Sequence, residues 1–437
     1  MSLRLFNTFT RKKEIFRPAR KGEVKFYACG PTVYDYVHVG NLRTFIFEDI
    51  LRRTLELNGH KVKLVMNITD IDDKTIRGAK KAGKSLKEFT SFYEKGFFGD
   101  IKRLNILPAF KYPRATEHIS EMKKIINLLL KKKYAYETED GIYFDISKFK
   151  KYGRLSGLKQ KEPARPAGGL KSGARISVDE YSKDQAEDFA LWKKKSPPVG
   201  GHPGWHIECS AMSIKYLGLP IDIHAGGIDL IFPHHENEIA QSEAAYGRKF
   251  ARFFVEGEHL LIEKKKMSKS LGNLFTLRDL ETKGFEPLDF RYLVLTAHYR
   301  SPLSFSWKAL EGARQARLKL QERAREAKAR KKKSDGPFCK EFLARLNDDL
   351  NMPRALALLW KEAKSYEDLL CADEVLGLGL KNLKKSAVPP RVKALLVKRE
   401  ALRREKKWGQ ADRIRGEIMK LGFKVQDMPE GSQVIKI

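Results

Sequence analysis

The segment VKFYACG, Val24 to Gly30, is a short run of β-favouring residues that ends on a glycine. In NLRTFIFEDILRRTLELNG, a little downstream, apolar residues fall at Phe45, Ile46, Ile50, Leu51, Leu55 and Leu57. That is close to helical spacing, and Asn58-Gly59 supplies the stop. KVKLVMNITD then predicts a buried strand. Strand, glycine turn, helix and strand in this order predict a βαβ unit and a parallel sheet. Related elements recur downstream. HIECSAMSIKYLG predicts a helix with Ile207, Ala211, Ile214 and Leu217 on one face, IDIHAGG a strand, and HHENEIAQSEAAYG a helix that starts near Pro233.

From about Leu104 to Gly201 the pattern changes. Two predicted helices flank PRATEHI, and YAYETEDGIYFDI predicts a hairpin turning at Asp140-Gly141. A stretch rich in Lys, Gly and Pro runs from Lys148 to Pro198. The whole reads as an insertion between two halves of a sheet domain. After Asn273 the chain reads as mainly helical. FRYLVLTAHYR and WKALEGARQARLKLQERAREAKARKKK lead to a linker at SDGP. Further helices are then expected in ALALLWKEAKSYEDLL, RVKALLVKREALRREKKW and ADRIRGEIMKLG.

Composition adds a partner to this picture. At 437 residues the chain is long enough for two or three domains, and 42% hydrophobic residues can fill their cores. The 86 basic against 55 acidic side chains give a net charge of +31. Such an excess repels itself in a compact state, so a polyanionic partner is the natural reading, with a lysine-rich solvated surface as the bland one. No stretch is long and apolar enough to predict a membrane span. MSLRLFNTFTRKKEIF has neither the apolar core nor the cleavage site of a signal peptide. Cys29, Cys209, Cys339 and Cys371 are few and far apart. They do not form the pattern of a disulfide framework, and a reducing, cytoplasmic setting is expected.

Three places carry candidate chemistry. His234 and Glu238 are four apart and share a helix face, which reads either as a surface pair or as half of a metal site. Cys209 lies in the other helix of that half, and Cys29 ends the first strand, where ligands of open parallel sheets bind. Two thiolates, an imidazole and a carboxylate would suit Zn²⁺, but two ordinary buried cysteines fit the sequence as well. His38-Val39-Gly40-Asn41 stands at a predicted helix start, where free N–H groups favour phosphate. Far downstream, KMSKS carries Lys266, Ser268, Lys269 and Ser270 in a polar loop suited to a polyphosphate that gains charge. Alone, each loop is modest evidence; together, in this order, they are strong.

These residues resemble the cysteinyl-tRNA synthetase family of class I aminoacyl-tRNA synthetases. HVGN looks like the HIGH signature, and KMSKS is unchanged. YACGPTVYDY, GWHIECSAM and FPHHENE place the family's zinc ligands on Cys29, Cys209, His234 and Glu238. Asp229 in GGIDL matches a residue that approaches the ATP ribose. Further matches are NITDIDDK, PRATEHI, HYRSPLSFS, LNDDLNMPRALA and ADRIRGEIMKLGFKVQD. The resemblance implies an α/β fold: a Rossmann-like parallel-sheet catalytic domain split by a connective insertion, followed by an α-helical bundle. Expected divisions are 1–103 and 202–273 for the catalytic halves and 104–201 for the insertion. Then follow 274–333 for a helical stem-contact region, 334–387 for the bundle and 388–437 for anticodon binding.

It further implies that ATP and L-cysteine give cysteinyl-adenylate, from which cysteine passes to the 3′ end of tRNA(Cys). One Zn²⁺ per chain would select the thiol, Mg²⁺ would accompany ATP, and the chain would act as a monomer. His38, Asn41, Lys266 and Lys269 are the expected catalytic residues, with Gly40, Asp229, Ser268 and Ser270 completing the ATP site. Gly30, Thr69 and Trp205 are expected to contact cysteine, and His235 to line the pocket or back a ligand. Two features depart from the family: Phe254 and Glu256 stand where Trp and His are usual, and EGSQVIKI lacks the closing tryptophan. The alternatives are a cysteine ligase of mycothiol biosynthesis, with an amino-sugar acceptor, and a non-catalytic zinc-containing RNA-binding protein.

Overall fold

The computed structural model describes residues 2–158, 175–176, 188–194, 200–263, 265–266, 274–330, 334, 336–383, 389–428 and 431–436. The chain opens with a hairpin, β1 (Arg4–Asn7) and β2 (Lys12–Ile15), that the apolar pattern did not predict. The expected βαβ unit follows as β3 (Glu23–Ala28), α1 (Val39–Leu57) and β4 (Lys61–Met66). After it come α2 (Asp73–Lys81) and α3 (Leu86–Arg103), whose first turns are closed by the capping boxes Asp72/Thr75 and Ser85/Glu88. The insertion holds α4 (Ile119–Lys131), β5 (Ala135–Glu137), β6 (Gly141–Phe144), β7 (Arg175–Ile176) and β8 (Asp188–Lys193), and β9 (His202–Pro203), just past it, pairs with β8. β5 and β6 form the predicted hairpin, with Glu137 opposite Ile142.

The second catalytic half is α5 (Trp205–Leu217), β10 (Ile221–Gly227), α6 (Glu236–Tyr246) and β11 (Ala251–Gly257). It joins the first half in one parallel sheet of order β11-β10-β3-β4. All seven residues of β10 are buried, as a strand covered on both faces requires. Phe26 and Ala28 enter one core cluster with α1, while Tyr27 and Cys29 enter another with α5 and α6. The crossovers after the central pair β3 and β10 therefore lie on opposite faces. Such a switch opens a crevice beyond the carboxyl ends of those strands.

The rest is mainly helical. A small sheet of β12 (Leu260–Ile262), β13 (Lys265–Lys266) and β14 (Leu303–Phe305) accompanies α7 (Leu277–Thr282), α8 (Pro287–Leu295) and α9 (Trp307–Arg330). Next are α10 (Phe338–Leu346), α11 (Met352–Glu362) and α12 (Tyr366–Leu376). The chain ends with α13 (Pro390–Arg404), α14 (Trp408–Lys420) and the hairpin β15 (Phe423–Met428) and β16 (Gly431–Lys436) around a small core of its own.

The helices expected in ALALLWKEAKSYEDLL number two, since Ser365 and Asp368 form a capping box that starts α12 afresh. Two expectations are corrected. The helix expected from Pro233 becomes regular only at Glu236, since Phe232 precedes the proline and keeps extended angles (φ −135°, ψ 132°). Cys339 of α10 and Cys371 of α12 form a disulfide, with Cα atoms 6.0 Å apart. Their spacing in sequence could not reveal that those two helices pack.

Candidate metal and substrate site

Three distant segments meet at one place. Cys29 follows β3 directly, Cys209 is in the second turn of α5, His234 is in the irregular turn before α6, and Glu238 is in the first turn of α6. Their donor atoms all lie within 4.8 Å of one another, and all four residues are buried. The delayed start of α6 does not break the i,i+4 relationship, as His234 Nε2 is 3.0 Å from Glu238 Oε1. Glu238 Oε1 is 4.0 Å from Cys29 Sγ. A second set of Cys29, His224, His235 and Glu238 meets the same distance condition and shares two members with the first.

Around these donors stand residues that hold them. His206, on α5, places its Nδ1 2.9 Å from His234 Nδ1. His224, on β10, places its Nε2 3.1 Å from Glu238 Oε2. His235 spans 3.5 Å to Cys29 Sγ through Nε2 and 2.9 Å to Glu256 Oε1 through Nδ1. Glu256 thus occupies the departure noted in the sequence and supports His235 directly. Glu236 fixes the insertion to the start of α6 by accepting from the backbone N–H groups of Gly153, Leu155 and Ser156 at 2.8, 3.0 and 2.8 Å. The sequence offered His206 only as a polar residue three places before Cys209 and His224 only as one member of a strand, so neither role was foreseen.

The charges are arranged around a buried anionic centre. Burial pushes the Cys29 thiol up. It pushes Cys209 the same way, yet the hydrogen bond from Cys29 and the neighbouring His234 bring that thiol down to about 6. Burial lowers His234, but Glu238 and Cys209 beside it raise it to about 10. Burial also opposes ionisation of Glu238, but His224 and His234 hold its carboxyl well below the usual range. Burial pushes His206 and His235 down. A protonated His234 balances part of the charge on Cys209 and Glu238, and a divalent cation placed among the same donors would take over that role.

The cluster opens onto a crevice of about 370 Å³, lined among others by Cys29, Gly30, His38, Asn41, Trp205 and Asp229. Trp205 lies over His234, with ring centroids 4.3 Å apart. Gly30 donates its N–H to Asn67 Oδ1 at 2.9 Å, and a Cβ on it would strike the Asn67 carbonyl oxygen. His38 caps α1, its Nδ1 accepting from the Asn41 N–H at 3.3 Å. Gly40 is within the first turn of α1. The backbone after KMSKS returns to this turn, because Val39 N–H donates to the Phe275 carbonyl at 2.8 Å and His38 pairs with Thr276. Lys266 ends β13, whereas Ser268, Lys269 and Ser270 lie outside the described residues. Thr69 is not brought to the crevice surface: it is buried and its hydroxyl donates to Glu208 Oε2 at 2.9 Å.

Known proteins resemble the chain over most of its length. The family model for the tRNA synthetases class I (C) catalytic domain matches residues 15–315, and that for the cysteinyl-tRNA ligase anticodon binding domain matches 385–434. A cysteine–tRNA ligase of Chlamydia felis is 43% identical, with 100% of this chain and 98% of that protein covered. One of Thermococcus onnurineus is 41% identical, with 99% and 98% covered. Among solved structures, Mycobacterium tuberculosis methionyl-tRNA synthetase with methionyl-adenylate shares the fold at a TM-score of 0.58 and 15% identity, covering 82% of this chain and 88% of that one. The Agrobacterium radiobacter K84 LeuRS ternary complex does so at a TM-score of 0.54 and 11% identity, covering 83% of each.

Proposed function

The chain belongs to the cysteine–tRNA ligases among the class I aminoacyl-tRNA synthetases, and from that premise we propose that its buried cluster holds one zinc ion and selects L-cysteine by its thiol. The observation that carries this reading is the convergence of Cys29, Cys209, His234 and Glu238 within 4.8 Å at the crevice. Two sulfurs, an imidazole nitrogen and a carboxylate are a donor set suited to zinc, and the buried negative charge on Cys209 and Glu238 calls for a cation. Bound there, zinc supplies a soft Lewis acid that lowers a thiol's pKa and prefers sulfur to a hydroxyl. Pocket shape alone separates near-isosteres such as cysteine and serine by only about a hundredfold.

The protein's side chains do the rest. Trp205 and Gly30 wall the pocket beside the cluster. Thr69, the expected contact to the amino acid, stands behind Gly30, linked to it through Asn67. The cysteine carboxylate attacks the α-phosphorus of ATP, a new P–O bond forms, the bond to the β-phosphate breaks and pyrophosphate leaves. His38, Asn41 and the N–H groups around Gly40 hold the phosphates from the α1 side, and Asp229 faces the ribose. Lys266, Ser268, Lys269 and Ser270 bind the departing pyrophosphate, with Mg²⁺ accompanying ATP. No side chain needs to act as nucleophile; positioning and charge stabilisation suffice. The tRNA 3′ hydroxyl then takes the cysteinyl group from the adenylate. Residues 274–333 serve the stem and 388–437 the anticodon of tRNA(Cys), the latter supported by the family match at 385–434. Residues 334–387 are the bundle between them.

Metal analysis paired with ATP–pyrophosphate exchange tests the reading. Native protein should contain one zinc and support exchange with cysteine far better than with serine, and chelation should remove both properties. An unchanged cysteine KM in metal-free protein would refute thiol selection by zinc. Charging assays with tRNA against an amino-sugar acceptor separate this reading from the mycothiol-type ligase.

A further inference from the structure

A patch of aromatic and cationic side chains stands at the rim of the crevice and has no part in the chemistry above. Phe92, on α3, leaves 52% of its surface exposed. It is not a stray apolar residue, because its ring lies 5.9 Å from Tyr36 and 5.2 Å from Tyr93. Tyr93 in turn lies 5.2 Å from Tyr36. Cations alternate with the rings. The Arg278 guanidinium sits 3.4 Å over Tyr36, the Lys84 ammonium 5.7 Å over Phe92, and Lys74 5.7 Å over Tyr34.

The origin of these residues matters as much as their contacts. Tyr36 comes from the loop ahead of HVGN, Phe92 from α3, and Arg278 from α7, the first helix after KMSKS. Gly96 lets α3 close on Tyr36, since a Cβ there would meet the tyrosine ring at 3.0 Å. Tyr34, Tyr36 and Lys74 also line the crevice, so the patch continues the pocket in which the amino acid is activated.

An exposed ring flanked by half-buried rings and cations suits unpaired nucleotides, whose bases stack on the open ring or the guanidinium while their phosphates meet the charges. A duplex keeps its bases inside its own stack and would have no use for the face of Phe92. The reaction brings one unpaired polynucleotide to this rim. We propose that Phe92, Tyr36 and Arg278 form a stacking platform on which an unpaired base of the tRNA 3′ end rests as that end enters the crevice. The proposal rests on the tRNA-charging reading above and adds to it a contact outside the signature motifs.

The test is Phe92→Ala, with Phe92→Trp as the conservative partner. Cysteine-dependent ATP–pyrophosphate exchange needs no tRNA and should be unchanged in both, which also verifies folding. In tRNA charging, Phe92→Ala should lose roughly fivefold to a hundredfold in kcat/KM for tRNA, and Phe92→Trp should restore it. A tRNA lacking its unpaired 3′ nucleotides should bind the wild type and Phe92→Ala equally. Wild-type charging by Phe92→Ala would overturn the platform, and so would equal loss of affinity for the truncated tRNA, which would indicate a contact to the duplex. Absence of charging by the wild type would instead overturn the function on which the proposal rests.

Discussion

The Nδ1 atoms of His206 and His234 face each other at 2.9 Å. Only one proton fits between them, so one ring donates and the other accepts. His234, raised to about 10, carries protons on both nitrogens, so Nε2 donates to Glu238 at 3.0 Å and Nδ1 donates to His206. Burial and the neighbouring His234 both push His206 down, as an acceptor requires. His206→Ala should therefore weaken zinc binding by about 10- to 100-fold while leaving the four proposed ligands in place. Chelator competition on the purified protein reads this directly, and an unchanged zinc affinity would dismiss the role.

Glu256 and His235 form a second supporting pair. The Glu256 carboxyl holds His235 Nδ1 at 2.9 Å, and the other ring nitrogen faces Cys29 Sγ at 3.5 Å. Removing the carboxyl leaves a buried ring nitrogen without that partner, a loss of about 1–3 kcal/mol. Glu256→Ala is expected to lower kcat/KM for cysteine roughly 5- to 150-fold, with the ATP KM unchanged. Glu256→Gln, which keeps an oxygen in place, should lose much less. Equal effects of the two substitutions would count against hydrogen bonding as the cause.

Much of the frame was legible in the chain, and the reasons differ from element to element. IDIHAGG read as a strand because a strand covered on both faces has little polar surface to show. The helix before Asn58-Gly59 was bounded by its own stop signal. His234 and Glu238 could be paired by period alone, but Cys29 and Cys209 joined them only through the family resemblance, since no local pattern encodes a meeting across a crevice. The supporting shell stayed hidden for the same reason: His206, His224 and Glu256 are ordinary polar residues until the fold places them against ligands. The β1–β2 hairpin is short, with alternation too weak to register, and the break before Ser365 lay in a capping box inside an apolar run.

Arg291 is fully buried and ties the catalytic domain to the helices that follow. Its Nη2 is 2.6 Å from Asp49 Oδ2 on α1, its Nε donates to the Leu376 carbonyl at 2.6 Å, and its Nη1 donates to the Leu104 carbonyl at 3.0 Å. Arg291→Met removes these bonds and leaves two buried carbonyls without this donor, although Asp49 keeps Arg53 at 2.7 Å. The expected destabilisation is about 3–5 kcal/mol, the range for breaking a buried ion pair from one side. Urea unfolding measures it, and a loss under about 1 kcal/mol would show that the network is not needed for stability.

Asp73 gives a pH-dependent counterpart. It sits in the first turn of α2 and reaches into the insertion, 3.2 Å from His202 Nε2 and 2.7 Å from Lys193 Nζ. The hydrogen bond from His202, helped by Lys193 and opposed by burial, holds the Asp73 carboxyl well below its usual range. An aspartate in the unfolded chain titrates near pH ~4. Above that pH both states are ionised and the folded state keeps the full benefit of the pairing. Below it the unfolded chain binds a proton that the folded protein still refuses, so the contribution falls away as the pH drops further. Asp73→Asn should lower the melting temperature at pH 7, where the pairing is complete. It should also lose less than the wild type between about pH 5 and pH 3, so that the two melting curves approach each other in acid. Scanning calorimetry across that range provides the comparison, and a constant gap between the two proteins at every pH would show that Asp73 ionisation does not contribute to acid sensitivity.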